Sequence, residues 1–391
     1  MILLWIGALQ SAARWLELLA FGVYIYDLTG SPLLVTLVTL AKLAPLAIFG
    51  PVAGALPSRY TSRSLYLLGL TVMLVTTLAA LLASLTGGLS VWQVMLISFT
   101  GGVFWVLDFP VRKSLIGDAV PVAVLGKAMG FDTIANNGTR MLGPVLGGML
   151  LQFVGLTGVL GTTLCMYIIC FVLTIKLQLG RELVSGEVTS SLADSVRQGL
   201  QVVRLEAVLS GTLMVTVIYN LFGFPMLSLV PVLGRDELQL SASVIGLLAS
   251  MEGAGALLGG ILFLKLGRVR YFRKIYVVGV AGGLVFGMVY AASTSAMLMG
   301  FALLLIGVGS ACFAAMQSTL LILNSEARYR SQVFGMLSLS IGSGIIGFTQ
   351  IGLVAGWFGP RAALLLSSVI GLICLFLVCR RWPQIIGVQP E

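Results

Sequence analysis

An all-α integral membrane protein of twelve transmembrane helices, arranged as two pseudo-symmetric six-helix bundles, is the fold this sequence predicts. Three observations carry the expectation: apolar runs long enough to cross a bilayer, basic residues that sort by loop, and a repeat relating the two halves. Of 391 residues, 58% are hydrophobic and only 9% are charged, against roughly 25% charged in ordinary soluble domains. Mean hydropathy is +1.07.

Apolar stretches fall at about 3–27, 33–56, 64–85, 91–109, 128–153, 156–178, 206–230, 242–264, 275–292, 297–320, 332–357 and 360–379. Each is close to the ~20 residues a spanning helix needs. The bilayer core offers the backbone no hydrogen-bond partner, so a span is a helix or part of a closed barrel; continuous apolar runs without strict alternation exclude the barrel. The first run begins almost at Met1, with no basic segment or small-residue cleavage site ahead of a soluble domain. A cleaved signal peptide is therefore not expected, and span one stays in the membrane.

Net charge is +9, which in a soluble protein would suggest nucleic acid, but here the basic residues follow the loops. Eighteen of the 23, from Arg59 to Arg381, lie in even-numbered connections or the C-terminus; only Arg235 and Arg361 fall on the opposite side. The asymmetry predicts a plasma (inner) membrane protein with both termini cytoplasmic and no nucleic-acid partner. The five cysteines sit in or at the ends of spans, and there is no histidine. Neither a disulfide framework nor a metal site is expected. With no Walker-type glycine loop and no nucleophile beside a base, the sequence predicts no enzyme and no cofactor.

The only long hydrophilic connection separates the spans six and six. It divides the chain into an N-terminal bundle, 1–178, a cytoplasmic linker, 179–205, and a C-terminal bundle, 206–391. Gly54-Ala55-Leu56 followed by Arg59 reappears as Gly260-Ile261-Leu262 followed by Lys265, and Leu115–Gly130 aligns with Leu320–Gly335 at nearly the same offset. Parallel repeats of six spans are an architecture of secondary transporters.

Charges inside spans mark the candidate pathway, because each costs roughly 3 kcal/mol at the centre of a membrane helix. Arg14, Lys42, Arg140, Glu17, Asp132 and Glu252 are six such charges summing to zero. In span one, Gln10, Arg14, Glu17, Phe21 and Tyr24 recur on one helical face, which is expected to line a cavity. Glu17 is a candidate proton acceptor beside Arg14, the alternative being a structural Arg14–Glu17 pair. In span five, Asp132, Asn136 and Arg140 form a polar ladder suited to protons or an anionic substrate, or, for Asp132, an inter-helix salt bridge. Glu252 sits among glycines in span eight and must find a partner on another helix or be protonated; Lys42 and Arg140 are candidate partners. Tyr219, Asn220, Phe224, Phe313 and Gln317 in spans seven and ten suit a partly apolar ligand, or serve as packing.

Further residues carry a resemblance. Leu28-Thr29-Gly30-Ser31-Pro32 follows span one, Asp108-Phe109-Pro110-Val111-Arg112 with Ile116 and Asp118 follows span four, and Gly143-Pro144-Val145-Leu146-Gly147-Gly148 lies in span five. With them, nearly the whole chain resembles the major facilitator superfamily, in particular its twelve-span drug/proton antiporter branch of enterobactin-exporter-like and macrolide-efflux-like proteins. The resemblance implies the major facilitator fold and a cytoplasmic gate at Gly54, Arg59, Arg63, Asp108, Arg112 and Asp118. The family's loop acid is replaced by Ser58, so Asp108 and Asp118 are expected to compensate. Asp108 precedes Arg112 by four positions, an exposed intrahelical pair worth about 0.3–0.5 kcal/mol. Gly143, Pro144, Gly147 and Gly148 resemble the antiporter motif, which favours export, and let helices approach closely. Lys42 matches a position where relatives often carry a basic residue.

The expected function is secondary active, proton-coupled export of an amphiphilic small molecule, a drug or siderophore, by alternating access in a monomer. The alternatives are a lysophospholipid or other lipid flippase without proton coupling, and a non-transporting membrane assembly factor.

Overall fold

The computed structural model describes residues 2–53, 62–119, 122–176, 192–266, 269–326 and 329–387, and every regular element among them is helical. Nine stretches of these residues are long and apolar enough to cross a membrane. One of them, Ile134–Ile175, is 42 residues long and holds two helices end to end, because Gly155 takes φ 75° and ψ −175°. Two shorter apolar helices, Pro32–Leu46 and Val91–Val106, bring the described crossings to the expected twelve.

The chain forms two compact units, Met1–Val188 with Leu240–Ser250, and Thr189–Gln239 with Met251–Glu391. The first contains α1 (Ile2–Thr29), α2 (Pro32–Ala53), α3 (Ser62–Thr86), α4 (Val91–Ala119) and α5 (Val122–Ile175). Gly30, at φ 60°, ends α1, and Pro32 opens α2, where its missing N–H costs nothing. Ile6, Leu70, Met73, Phe104 and Cys170 form the apolar core. Glycines set the helix spacing: a Cβ on Gly147 would collide with the carbonyl of Leu16, and one on Gly102 with the carbonyl of Lys42. The sequence places all of 206–391 in the second bundle, yet Leu240–Ser250 groups with the first unit. Small residues explain the difference, since a Cβ on Gly246 would collide with the Pro144 carbonyl and one on Gly148 with that of Ala242.

The second unit begins with α6 (Leu192–Leu205), so the latter half of the expected linker is a helix. Span seven is not one helix: α7 (Ala207–Ile218) passes into a π turn, Tyr219–Gly223, then a 3-10 turn, Phe224–Leu229, then α8 (Val230–Asp236). Pro225, which has no N–H to donate, sits in the break. There follow α9 (Ala242–Leu266), which belongs to this unit from Met251 onward, α10 (Phe272–Ala291), α11 (Ala296–Leu323), α12 (Arg330–Gly342), α13 (Gly344–Phe358) and α14 (Pro360–Arg381). Span eleven also breaks, at Ser343 between two glycines. Its second piece carries Gln350, whose Nε2 donates to the Leu221 carbonyl at 3.3 Å. A neighbouring side chain thus satisfies a carbonyl at the π turn, which a span in lipid requires.

Candidate functional site

The charges of the first unit converge on α1. Glu17 is 1% exposed and lies opposite Lys42, which is 2% exposed. Lys42 Nζ donates to Glu17 Oε2 at 2.9 Å and to the Arg14 carbonyl at 3.1 Å. Tyr167 Oη, from the second half of α5, donates to Glu17 Oε1 at 3.0 Å. Both carboxylate oxygens of Glu17 are thereby engaged by other helices. The Arg14–Glu17 pair that the sequence left as an alternative does not form, because Arg14 turns to α4 instead.

There it meets Asp108, the hub of the cluster. Asp108 Oδ2 accepts from Arg14 Nη2 at 3.0 Å, while Oδ1 accepts from Arg112 Nε at 3.1 Å and lies 2.9 Å from Tyr66 Oη. The Arg14 guanidinium also stacks over Trp105, 4.3 Å from the ring centroid. Arg112 bridges onward, its Nη1 donating to Asp132 Oδ1. A side chain on Gly7 would strike the Arg112 guanidinium, so the missing Cβ gives this arginine its place beside α1. Tyr66 Oη is also 2.7 Å from Gln10 Oε1, and Gln10 Nε2 has no partner among the described residues. One hydroxyl proton serves one acceptor. Turning the Gln10 amide so that its nitrogen faces Tyr66 gives a consistent relay, Gln10 to Tyr66 to Asp108.

This set is neutral: Arg14, Lys42 and Arg112 against Glu17, Asp108 and Asp132. It shares Arg14, Lys42, Glu17 and Asp132 with the six charges singled out by sequence, and has Asp108 and Arg112 in the places of Arg140 and Glu252. The Asp108–Arg112 pair exists but is not exposed; the residues are 2% and 4% exposed. The reason is that α4 continues to Ala119, well past its apolar run, and carries both side chains onto α1. The face of Gln10, Arg14, Glu17 and Phe21 is likewise packed against its own unit, at 8% exposure or less, rather than forming an open cavity wall. Tyr24 leaves the face altogether. Its hydroxyl donates to the Leu89 carbonyl at 2.9 Å and accepts from the Leu89 amide at 3.0 Å, clamping the α3–α4 turn.

The rest of the α5 ladder also faces α1. Asn136 Oδ1 accepts from Ser11 Oγ at 2.7 Å, Thr139 Oγ1 donates to the same Ser11 oxygen at 2.8 Å, and Arg140 lies over Trp15 at 5.2 Å. Gly143 and Gly147 sit against Trp15 and Leu16, so the Gly-Pro segment does bring helices close. Of the expected gate, Arg63 Nη2 donates to the Ile175 carbonyl at the end of α5. Gly54 and Arg59 lie outside the described residues, as does the Asp118 side chain.

In the second unit, Glu252 Oε1 accepts from Ser310 Oγ at 2.9 Å. The span-seven and span-ten candidates do come together: Tyr219 stacks on Phe313 at 4.0 Å, Phe313 on Tyr276 at 5.6 Å, and Phe224 meets Phe348 edge-on at 5.9 Å. Thr216 gathers the polar groups, its hydroxyl within 2.9 Å of Tyr276 Oη and accepting from Gln317 Nε2 at 3.0 Å, its carbonyl accepting from Asn220 Nδ2 at 2.9 Å. Tyr219, Asn220, Phe313 and Gln317 are all at least 93% buried, which favours their reading as packing. Sequence reasoning missed Tyr66, Tyr167, Trp105, Ser11, Thr216, Tyr276 and Ser310. Tyrosines inside apolar runs were the one available signal, since a buried hydroxyl requires a partner.

The sequence profile of the Major Facilitator Superfamily matches residues 3–347 and 226–384. An uncharacterized MFS-type transporter, YfiS of Bacillus subtilis, is 24% identical across 96% of this chain and 92% of its own. Macrolide efflux protein A of Streptococcus pyogenes is 22% identical across 91% of this chain and 89% of its own. Among solved structures, a bacterial homolog of the human lysosomal transporter Spinster has a TM-score of 0.74 at 14% identity, covering 100% of this chain and 98% of that one. A D-xylose-proton symporter has a TM-score of 0.72 at 13% identity, covering 98% and 97%. Both share the fold. The chain, a multi-pass membrane transporter by its helices, its charges and these matches, belongs to the Major Facilitator Superfamily.

Proposed function

We propose that this chain is a proton-coupled exporter of an amphiphilic small molecule, a drug or siderophore, working by alternating access in the plasma membrane with both termini cytoplasmic. The observation that carries the reading is Glu17, buried and held by one cation and one hydroxyl. A proton arriving on Oε2 neutralises the carboxylate and leaves Lys42 charged in a low-dielectric interior. Removing one partner of a buried pair costs about 3–5 kcal/mol. Moving a two-state equilibrium from 1:99 to 99:1 takes about 5.5 kcal/mol. One proton at Glu17 is therefore of the right size to bias a conformational change, and its release restores the pair. Asp132 and Glu252 are further proton-site candidates, and the likeness to macrolide efflux proteins favours export.

A second reading is favoured by one feature of the same network: every carboxylate in it already has a cation. That arrangement suits a fixed structural core in an uncoupled lipid flippase or a non-transporting assembly factor. The two readings separate in liposomes that enclose a pH-sensitive dye and are offered siderophores, cationic drugs and lysolipids. Cargo-dependent proton flux, lost in Glu17→Gln or Glu252→Gln while the variant stays folded, supports antiport. Undiminished proton flux in both variants rejects the proton role; lysolipid movement without any proton flux selects the flippase.

A further inference from the structure

We propose that the groove between α10 and α11 holds an acyl chain of an anionic phospholipid, with the lipid phosphate against Lys274 and Arg270. This goes beyond the cargo and coupling proposed above and needs only that the chain spans a bilayer. The groove has a volume of about 400 Å³ and runs from Tyr271 and Lys274 past Val278 and Gly282 to Phe286, with Leu305, Val308 and Cys312 on its other side. It opens outward, since Val278 is 66% exposed.

Two kinds of glycine make it. Gly279 and Gly309 are consumed by packing: a Cβ on Gly279 would press on Cys312, and one on Gly309 would collide with the Gly279 carbonyl. They bring the two backbones together as a floor. Gly282 is different, because a Cβ there meets nothing within 4 Å. Packing within the unit does not demand glycine at this position, and what the missing side chain leaves open is an apolar trough.

Length and charge select the occupant. Lys274 and Phe286 are twelve residues apart, about 18 Å along a helix at ~1.5 Å per residue, against ~15 Å for one leaflet of a ~30 Å hydrocarbon core. The trough thus spans one leaflet, and all its charge is at one end. Arg273 is already committed to Asn324 Oδ1 at 3.1 Å and the Gln384 carbonyl at 3.2 Å. Lys274, which lines the mouth, has no hydrogen-bond or ion-pair partner among the described residues, and the exposed Arg270 lies over the ring of Tyr271, another lining residue, at 6.0 Å. Basic residues gathered at one end of an inter-helix groove match an anionic headgroup. A second protein helix would need the floor glycines free to receive it, and they are not.

The test is native mass spectrometry of the full-length protein after delipidation and add-back of phosphatidylglycerol or phosphatidylcholine with identical chains. Each basic residue near the surface contributes about five-fold to binding an anionic lipid, so Arg270→Gln with Lys274→Gln lowers phosphatidylglycerol retention by roughly 25-fold and removes the preference over phosphatidylcholine. Gly282→Leu fills the trough with a better helix former, so the variant folds and loses both lipids. Equal retention of the two lipids by the unmodified protein overturns the headgroup assignment. Lipid retained by Gly282→Leu overturns the acyl-chain seat, and a dimer that only Gly282→Leu abolishes gives the groove to a second copy.

Discussion

The two units solve the same problem with different chemistry. The first buries ions: three cations and three carboxylates, joined through Arg112 and the Arg14 carbonyl, with Tyr66 and Tyr167 as further donors. The second gathers hydroxyls, amides and stacked rings around Thr216, and breaks its backbone at Tyr219–Gly223 and Ser343. Buried ions are costly individually and stable only as a closed set, so such a unit has few arrangements and large gaps between them. A broken helix whose carbonyl is held by one Gln350 amide has smaller gaps. On the proton-coupled reading proposed above, the first unit supplies the sharp, proton-sensitive step and the second the compliance.

Removing the hub should have the largest effect. Asp108→Asn strips the counter-charge from Arg14 and weakens the hold on Arg112, and should cost about 3–5 kcal/mol of stability, read by unfolding in detergent. A double-mutant cycle sharpens the ionic side of the comparison: Glu17→Leu and Lys42→Met should each be strongly destabilising, while the double variant recovers more than half of the loss, because an apolar pair can replace a buried ionic one. Strictly additive losses would mean that the two residues do not act as a pair. In the second unit, Gly347→Leu drives a side chain against the carbonyls of Asn220 and Leu221 and should cost about 1–3 kcal/mol by overpacking. The smallest effect is expected from Gln350→Leu, about 0.6 kcal/mol, the mean for an inter-helix hydrogen bond in a membrane. A loss as large as that of Asp108→Asn would erase the contrast between the units.

The spans were readable because the bilayer imposes length and apolarity on each one independently; even the gap at 153–156 corresponds to Gly155. Glu17, Lys42 and Asp132 stood out for the same reason, as charges where charge is expensive. Their pairing was not readable. Arg14 lies 94 positions from Asp108, and nothing local states that it prefers that acid to Glu17, one turn away. Asp108 and Arg112 looked like an exposed intrahelical pair because the apolar run stops at 109, well before α4 ends at Ala119. Tyr66 and Tyr167 passed as apolar, since hydropathy does not count a single hydroxyl. The π turn in span seven was hidden because Pro225 alone does not say whether a helix bends, unwinds or ends.

Gly155 carries a consequence for how the chain is made. Its φ of 75° lets two long apolar helices reverse direction with almost no connecting loop, so spans five and six have nothing hydrophilic between them to be handed across the bilayer separately. They should enter the membrane during synthesis as one preformed hairpin. A glycosylation acceptor or protease site inserted at this corner would therefore trap an assembly failure, where the same insertion in a longer connection would merely report topology.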